Sequence, residues 1–356
     1  MSQKYVPVIS STGKPLMPCT NQRANALIRR GRAKRRFDRG LFYIQLIDRE
    51  DGMVQPVAVG LDPGSKKEAI TIKSARRTFL NIQADAVTWV KDAEETSTTM
   101  RRNRRGRKTP YRECRPNRQA SKIPLPPSTK ARWQWKLRLC QWLARYYPID
   151  VFVIEDVKAE THKGKAGHWN KSFSPIQVGK DWLYYQLGRI ASVKAVQGFE
   201  TYQERQRLGL KKSSNKMSDS FEAHCVDCWT LANLEVGGHT EPDNTAILYV
   251  VPLRFHRRQL HRLQPEAGGI RKPYGGTLSL GFKRGSWVSH AKHGVCYVGG
   301  SSQGRVSLHD MQTGKRLTQN AKPVDLKFLC TASWRLRKEE RIPPPVKTGG
   351  LLRNNL

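Results

Sequence analysis

The pattern of apolar and polar positions divides the chain into alternating strand-like and helix-like blocks. A short strand at residues 5–9 leads into a Pro-rich turn through Pro15, Pro18 and Cys19, then a helix over 21–32. Lys34, Arg35 and Arg36 lead into a strand over 42–47. The β-favouring run from Val57 to Asp62 precedes Pro63-Gly64, and a second apolar run over 68–73 makes the pair a hairpin. A third strand is predicted over 77–86. Trp135, Leu139, Trp142 and Leu143 recur at helical spacing, so 128–146 reads as a helix with Ser128 as N-cap and Pro148 as terminator. The apolar run 149–156 is a fourth strand. A polar loop covers 162–180, a helix 182–193, a strand 196–202, a basic loop 205–216 and a helix 218–233. Beyond Val250, short apolar runs separated by Gly (277–282, 287–290, 295–298, 306–309, 324–329) predict a small antiparallel β domain and an extended tail. Three antiparallel strands followed by helices and a further strand predict an α+β or mixed α/β fold.

Two of the predicted strands end in acids. Asp62 closes the first core strand, and Glu155 sits at the end of the fourth. A carboxylate at a strand end can face solvent while its backbone stays in the sheet, which suits a divalent cation. Asp before Pro-Gly is also ordinary turn chemistry. If the two strands are sheet neighbours, their carboxylates converge and repel unless a cation lies between them. On the helix 218–233, His224 and Asp227 are three residues apart and share a face. That helix could carry a third carboxylate and an imidazole into the same cleft.

Charge changes the picture more than any single motif. There are 64 Lys+Arg against 29 Asp+Glu, a formal net charge of +35, which calls for a polyanionic partner. Nucleic acid fits better than a membrane, since no apolar run approaches the ~18 residues of a spanning helix and the N-terminus has no signal-peptide pattern. The seven scattered cysteines predict a reducing cytosol rather than a disulfide framework. The extreme segment is 101–118, with Arg101, Arg102, Arg104, Arg105, Arg107, Lys108, Arg112, Arg115 and Arg118. Its first half can be helical; Pro110 and Pro116 break the second half. Like charges at this density favour a path along phosphates, with a disordered basic segment as the alternative. Cys225 and Cys228 form one CxxC without a second pair and read as small core residues rather than zinc ligands. His162, His168 and Asn170 fall in a polar loop with no ββα pattern.

Asp at the end of the first core strand, Glu at the end of the fourth and His-x-x-Asp on a later helix, with an Arg-rich insert between the first two, resemble a RuvC-type nuclease of the RNase H-like fold. Over essentially the whole chain the sequence resembles the IsrB family, HNH-lacking relatives of the transposon-encoded IscB proteins and kin of CRISPR type II effectors. The residues concerned are Pro15-Leu16-Met17-Pro18, Gly60-Leu61-Asp62-Pro63-Gly64-Ser65, Arg101 to Arg118, Val153-Ile154-Glu155 and Ala223-His224-Cys225-Val226-Asp227. The resemblance implies an N-terminal PLMP module (1–56), RuvC part I (57–97), a bridge helix and linker (98–127) and RuvC parts II and III without an HNH insertion (128–252). A C-terminal β domain that reads a target-adjacent motif (253–356) would complete the chain. It implies an RNA-guided DNA nickase. Asp62, Glu155 and Asp227 would hold two Mg²⁺ ions, with Mn²⁺ able to substitute, and His224 would act as general base or orient the water. The implied partners are a guide (omega) RNA and double-stranded target DNA, one protein per RNA with no homo-oligomer needed, in a prokaryotic cytoplasm at the nucleoid. Two other readings remain: a guide-independent Holliday junction resolvase on the same fold, and a non-catalytic RNA-binding protein.

Overall fold

The computed structural model describes residues 3–105, 125–156, 175–254, 263–264, 269–270 and 277–338. Expectations for residues 162–174 and for Arg107, Lys108, Arg112, Arg115 and Arg118 lie outside the described residues. Among the described residues, no helix is long and apolar enough to cross a membrane.

The N-terminal unit comprises β1 (Tyr5–Ile9), β2 (Pro15–Thr20), α1 (Asn21–Arg29), β3 (Ala33–Asp38) and β4 (Leu41–Leu46), in a sheet of order β2-β1-β4-β3. The Pro-rich segment expected as a turn is a strand. It lies at the sheet edge, where a proline's missing N–H costs no ladder bond. The Thr20 hydroxyl accepts from the Arg23 N–H at the start of α1. The helix ends before residue 32 because Gly31 takes a left-handed φ of +68°. Lys34, Arg35 and Arg36 lie within β3 itself, all exposed, rather than ahead of the strand. Val6, Val8, Leu16, Ala24, Leu27 and Ile44 close this unit's core.

The central sheet begins with β5 (Val57–Asp62), β6 (Lys67–Ser74) and β7 (Thr78–Asp85), which pair antiparallel in that order. Helices α2 (Trp89–Arg105) and α3 (Pro127–Leu143) come next. Pro126, not Ser128, occupies the N-cap of α3, and Pro127 at the first helical position loses no intrahelical bond. Strand β8 (Val151–Asp156) returns parallel to β5. Helix α4 covers Pro175–Gly188, starting inside the segment read as loop, and β9 covers Ser192–Gln197, ahead of the predicted strand. Residues 198–207, expected as strand end and basic loop, form helix α5 (Gly198–Arg207). Glu200 accepts from the Gln197 N–H at 2.7 Å, so the acid at the third helical position closes the turn back on its entry residue. Helix α6 (Phe221–Val236) and strand β10 (Ile247–Pro252), parallel to β7, complete this region.

Residues 263–337 add two short pairs, β11 (Leu263–Gln264) with β12 (Gly269–Ile270) and β13 (Leu278–Ser279) with β14 (Phe282–Lys283). Strands β15 (Trp287–His290), β16 (Gly294–Ser302), β17 (Arg305–Asp310), β18 (Arg316–Ala321) and β19 (Leu326–Cys330) form an antiparallel sheet of order β18-β17-β16-β15-β19. β18 carries mostly exposed polar residues, so no apolar run announced it. Strand β20 (Trp334–Arg337) leaves this sheet and pairs antiparallel with β10. The central sheet therefore has the order β20-β10-β7-β6-β5-β8-β9, and the architecture is mixed α/β.

Alternation along the strands assigns the two faces. Val57, Val59 and Leu61 pack in one cluster with Trp135, Leu139 and Leu183 of α3 and α4. Ala58, Val151 and Val153 pack instead against Leu231 and Ala232 of α6. Gly60 lies on the α6 side, where a Cβ would stand 1.8 Å from the Cys228 carbonyl oxygen, so only glycine admits the helix at this depth. Polar and aromatic contacts tie the outer units to the centre. Asp38 accepts from Trp142 Nε1 at 3.1 Å and from the Tyr146 hydroxyl at 2.7 Å. Trp334 stands edge-on to Trp135 and Trp142, with ring centroids 5.8 and 5.4 Å apart.

Candidate active site

β5 and β8 are neighbours. Their parallel register pairs Leu61 with Ile154, so the next residues, Asp62 and Glu155, emerge side by side at the strand ends. By alternation both lie on the α6 face. Asp156 lies on the other face, where burial works to raise its pKa, yet hydrogen bonds from Lys180, Gln197 and Tyr184 hold the carboxyl below the usual range. The sheet thus separates two adjacent acids: Asp156 is a partner of α4, and Glu155 faces Asp62.

Glu155 is pushed up to about 7, first by burial, then by the negative charges of Asp62 and Asp227, with Lys212 opposing. Glu155 thus sits in a buried pocket beside other negative charge. Gly198, first residue of α5, packs on it; a Cβ there would come within 3.1 Å of Glu155 Oε1.

α6 supplies the remaining side chains. Phe221, Cys225, Val226, Cys228 and Trp229 form a buried cluster with Ala69, which anchors the helix on the sheet. Cys225 and Cys228 are fully buried within it, burial raises both thiols, and they serve as core residues, as read from the lone CxxC. His224 Nδ1 lies 4.0 Å from Asp62 Oδ2, and its Nε2 donates to the Lys216 carbonyl at 2.8 Å. That bond orients the ring and leaves Nδ1 toward the carboxylates. Burial works to lower the imidazole pKa, but the neighbouring Asp62 carboxylate and the bond to the Lys216 carbonyl prevail and raise it.

Asp227 is buried, with both oxygens engaged: Oδ1 accepts from Arg205 Nη1 at 2.6 Å, and Oδ2 from Lys212 Nζ. The sequence-predicted quartet Asp62, Glu155, His224 and Asp227 is therefore brought to one neighbourhood. Among the described residues, no three His, Cys, Asp or Glu side chains stand where they could hold one ion. The donor chemistry at Asp62 and Glu155 fits a hard divalent cation, with two carboxyl groups emerging beside one another from neighbouring strands.

Arg205 and Lys212 were absent from the predicted site because both fell in a stretch read as solvated basic loop. A signal existed for Arg205: it lies four residues after Thr201, and these two alone are buried on α5. Of the basic segment, Arg101 and Arg102 are exposed on the last turns of α2, and Arg104 and Arg105 end that helix.

A family model described as RRXRR protein matches residues 6–173, somewhat less than half of the chain. The letter pattern of that description is spelled here by Arg101-Arg102-Asn103-Arg104-Arg105. No curated protein matches. Among solved structures, T. thermophilus RuvC in complex with a Holliday junction substrate matches at 9% identity and a TM-score of 0.28, over 52% of this chain and 98% of that one. A CRISPR-Cas12f ternary complex solved by cryo-EM matches at 11% identity and a TM-score of 0.29, over 62% of this chain and 50% of that one.

Proposed function

We propose that the chain is an RNA-guided DNA endonuclease of the IsrB type that nicks the displaced strand with a single RuvC-type site. The observation that carries this reading is the convergence of Asp62, Glu155 and Asp227 from two neighbouring parallel strands and one helix, with Glu155 pushed up to about 7 by burial and its two acidic neighbours. The strand order β7-β6-β5-β8-β9, three antiparallel strands then two parallel to the first, supports an RNase H-like core. A purely binding protein has no use for repelling carboxylates at the end of a sheet. The net charge of +35 and the arginines of α2 support a nucleic-acid partner large enough to neutralise them.

In this reading Asp62, Glu155 and Asp227 are the residues that hold two Mg²⁺ ions, or Mn²⁺ in their place. The ions would supply an activated water and stabilise the leaving oxygen of an in-line displacement. His224, with Nε2 committed to the Lys216 carbonyl, keeps Nδ1 for a proton or for orienting the attacking water. The basic residues at the end of α2 lie along the sugar-phosphate backbone of the guide or the heteroduplex, while base pairing reads the sequence. The antiparallel sheet β15–β19 is the element assigned to a short motif beside the target. Such a protein works in a prokaryotic cytoplasm, at the nucleoid when bound to DNA.

The test is Asp62→Asn in the full chain carrying its RNA. Metal-dependent nicking should fall at least about a thousandfold while RNA-dependent DNA binding stays within about twofold. Retained nicking would remove Asp62 from the site. Cutting of branched DNA without any RNA would favour the guide-independent resolvase.

A further inference from the structure

Both oxygens of the most buried carboxylate in the site are held by side-chain cations, and the two cations are not equivalent. Arg205 is itself buried, its side chain 10% exposed, and lies on α5 facing α6. Lys212 is 36% exposed and reaches Asp227 from the connection between the two helices. The backbone on either side of Lys212 is pinned independently of its side chain. The Leu210 N–H donates to the Arg205 carbonyl at 3.0 Å, and the Ser213 N–H to the Glu222 carbonyl at 2.9 Å. The lysine can therefore swing out by rotating its own side-chain bonds while the loop stays in place. Arg205 is held by its place on α5, its side chain enclosed and its guanidinium 5.5 Å from the Tyr202 ring, so its withdrawal would require the helix to move.

Resting on the metal-dependent reading above, we propose that Lys212 is an exchangeable internal counter-ion: its ammonium holds Asp227 Oδ2 until a divalent ion takes that oxygen, so it sets the affinity of the site for its second ion. Arg205 is the permanent partner, keeping Oδ1 and fixing the carboxylate's orientation. Without a cation on Oδ2, Asp227 would keep only Arg205 as a partner beside the Asp62 and Glu155 carboxyls, and the local negative charge would rise. Lys212 removes that repulsion in the metal-free protein. The same contact opposes the ion, because binding must first break a charge-assisted hydrogen bond. Lys212 therefore acts on the site through Asp227, as a competing charge, while Arg205 positions the carboxylate.

The experiment counts bound Mn²⁺ on the RNA-free full-length protein, from the free-ion EPR signal, with no substrate present. Lys212→Met should bind the second Mn²⁺ about tenfold or more tightly than the wild type, since one competing charge is gone. Lys211→Met removes an equal charge from the exposed neighbouring position and should stay within about twofold, which separates a specific contact from a general field. In an Asp227→Asn background, adding Lys212→Met should change nothing further, because the group through which it acts is absent. Equal Mn²⁺ affinity for Lys212→Met and wild type would overturn the proposal while leaving the metal site standing. Absence of bound Mn²⁺ in every variant would overturn the metal-site reading, and this inference with it.

Discussion

Lys73 shows how far this fold commits individual residues. It is fully buried on β6, beneath the Trp229 ring at 5.0 Å, and donates to Asn233 Oδ1 and to the Gly237 carbonyl at 2.7 Å. Its hydrogen-bond acceptors are neutral, so burial lowers its pKa from 10.5 to about 8, with the Asp243 charge opposing. Below about 8 both folded and unfolded chains carry the proton, and the burial cost is borne in full. Between about 8 and 10.5 the folded chain sheds it while the unfolded chain keeps it, so stability rises with pH through that window. Denaturant unfolding at stepped pH should show the wild type gaining about 2–3 kcal/mol relative to Lys73→Met across it. A pH-independent difference would mean that the folded chain keeps the Lys73 proton through that window. The same residue-level logic explains what the sequence concealed at the site. A strand-end acid is legible from pattern, as Asp62 and Glu155 were. Whether its neighbour Asp156 or Glu155 faces the cleft follows from alternation only after one face is identified. The cationic partners of Asp227 come from a stretch with no apolar periodicity, where the helical spacing of Thr201 and Arg205 is the one trace of order.

At the scale of elements, the contact between β5 and α6 decides whether the carboxylates meet. Gly60 admits the helix, and the buried cluster of Phe221, Cys225 and Trp229 fixes its rotation, so that His224 and Asp227 turn toward the strand ends. Gly60→Ala should cost about 1–3 kcal/mol by overpacking, and because the clash is with backbone, the helix must shift. The measurement is thermal unfolding together with Mn²⁺ binding. Lost stability with unchanged metal affinity would show that the carboxylates do not depend on this seating. The hairpin β5–β6 and the site helix α6 were legible as sustained apolar runs, buried on both faces of the strands and continuously from Cys225 to Asn233 of the helix, and the long α3 was legible from its recurring Trp and Leu. The register errors at α4, β9 and α5 arose where polar residues continue through element boundaries: the capping acid Glu200 and the buried Arg205 look like loop chemistry until the helix is seen. The edge strand β2 was misread because proline is a turn signal except at a sheet edge.

The end of α2 offers a second element-scale prediction. Replacing Arg101, Arg102, Arg104 and Arg105 together by Ala should reduce RNA affinity and flatten its log–log salt dependence by about 3 in slope, as four phosphate contacts would require. Filter binding across a salt series reads this directly. An unchanged slope would assign these arginines to a role other than phosphate contact.

The whole molecule is held together by connections that run against chain order. β20 leaves the C-terminal strands to extend the central sheet, and Trp334 on it fills the gap between Trp135 and Trp142 of α3 while its ring lies under the Arg39 guanidinium at 5.0 Å. Nothing in the four-residue run Trp334–Arg337 distinguishes it in sequence from the other short strands, since its partner β10 lies more than eighty residues earlier. Trp334→Ala should destabilise the protein by about 3–5 kcal/mol. Limited proteolysis would then cut both the C-terminal sheet and the central one, and cutting confined to the C-terminal sheet would show that it does not support the core.

RNA-guided nicking stands or falls on a change of guide. The protein is purified with its RNA, the variable end of that RNA is rewritten to match a chosen site, and supercoiled plasmids with and without that site are incubated with Mg²⁺. Guided nicking by a single site should give open circles from the matched plasmid only, with the break on the strand not paired to the RNA, and no linear product. Relaxation of both plasmids alike, or cutting that survives removal of the RNA, would contradict it.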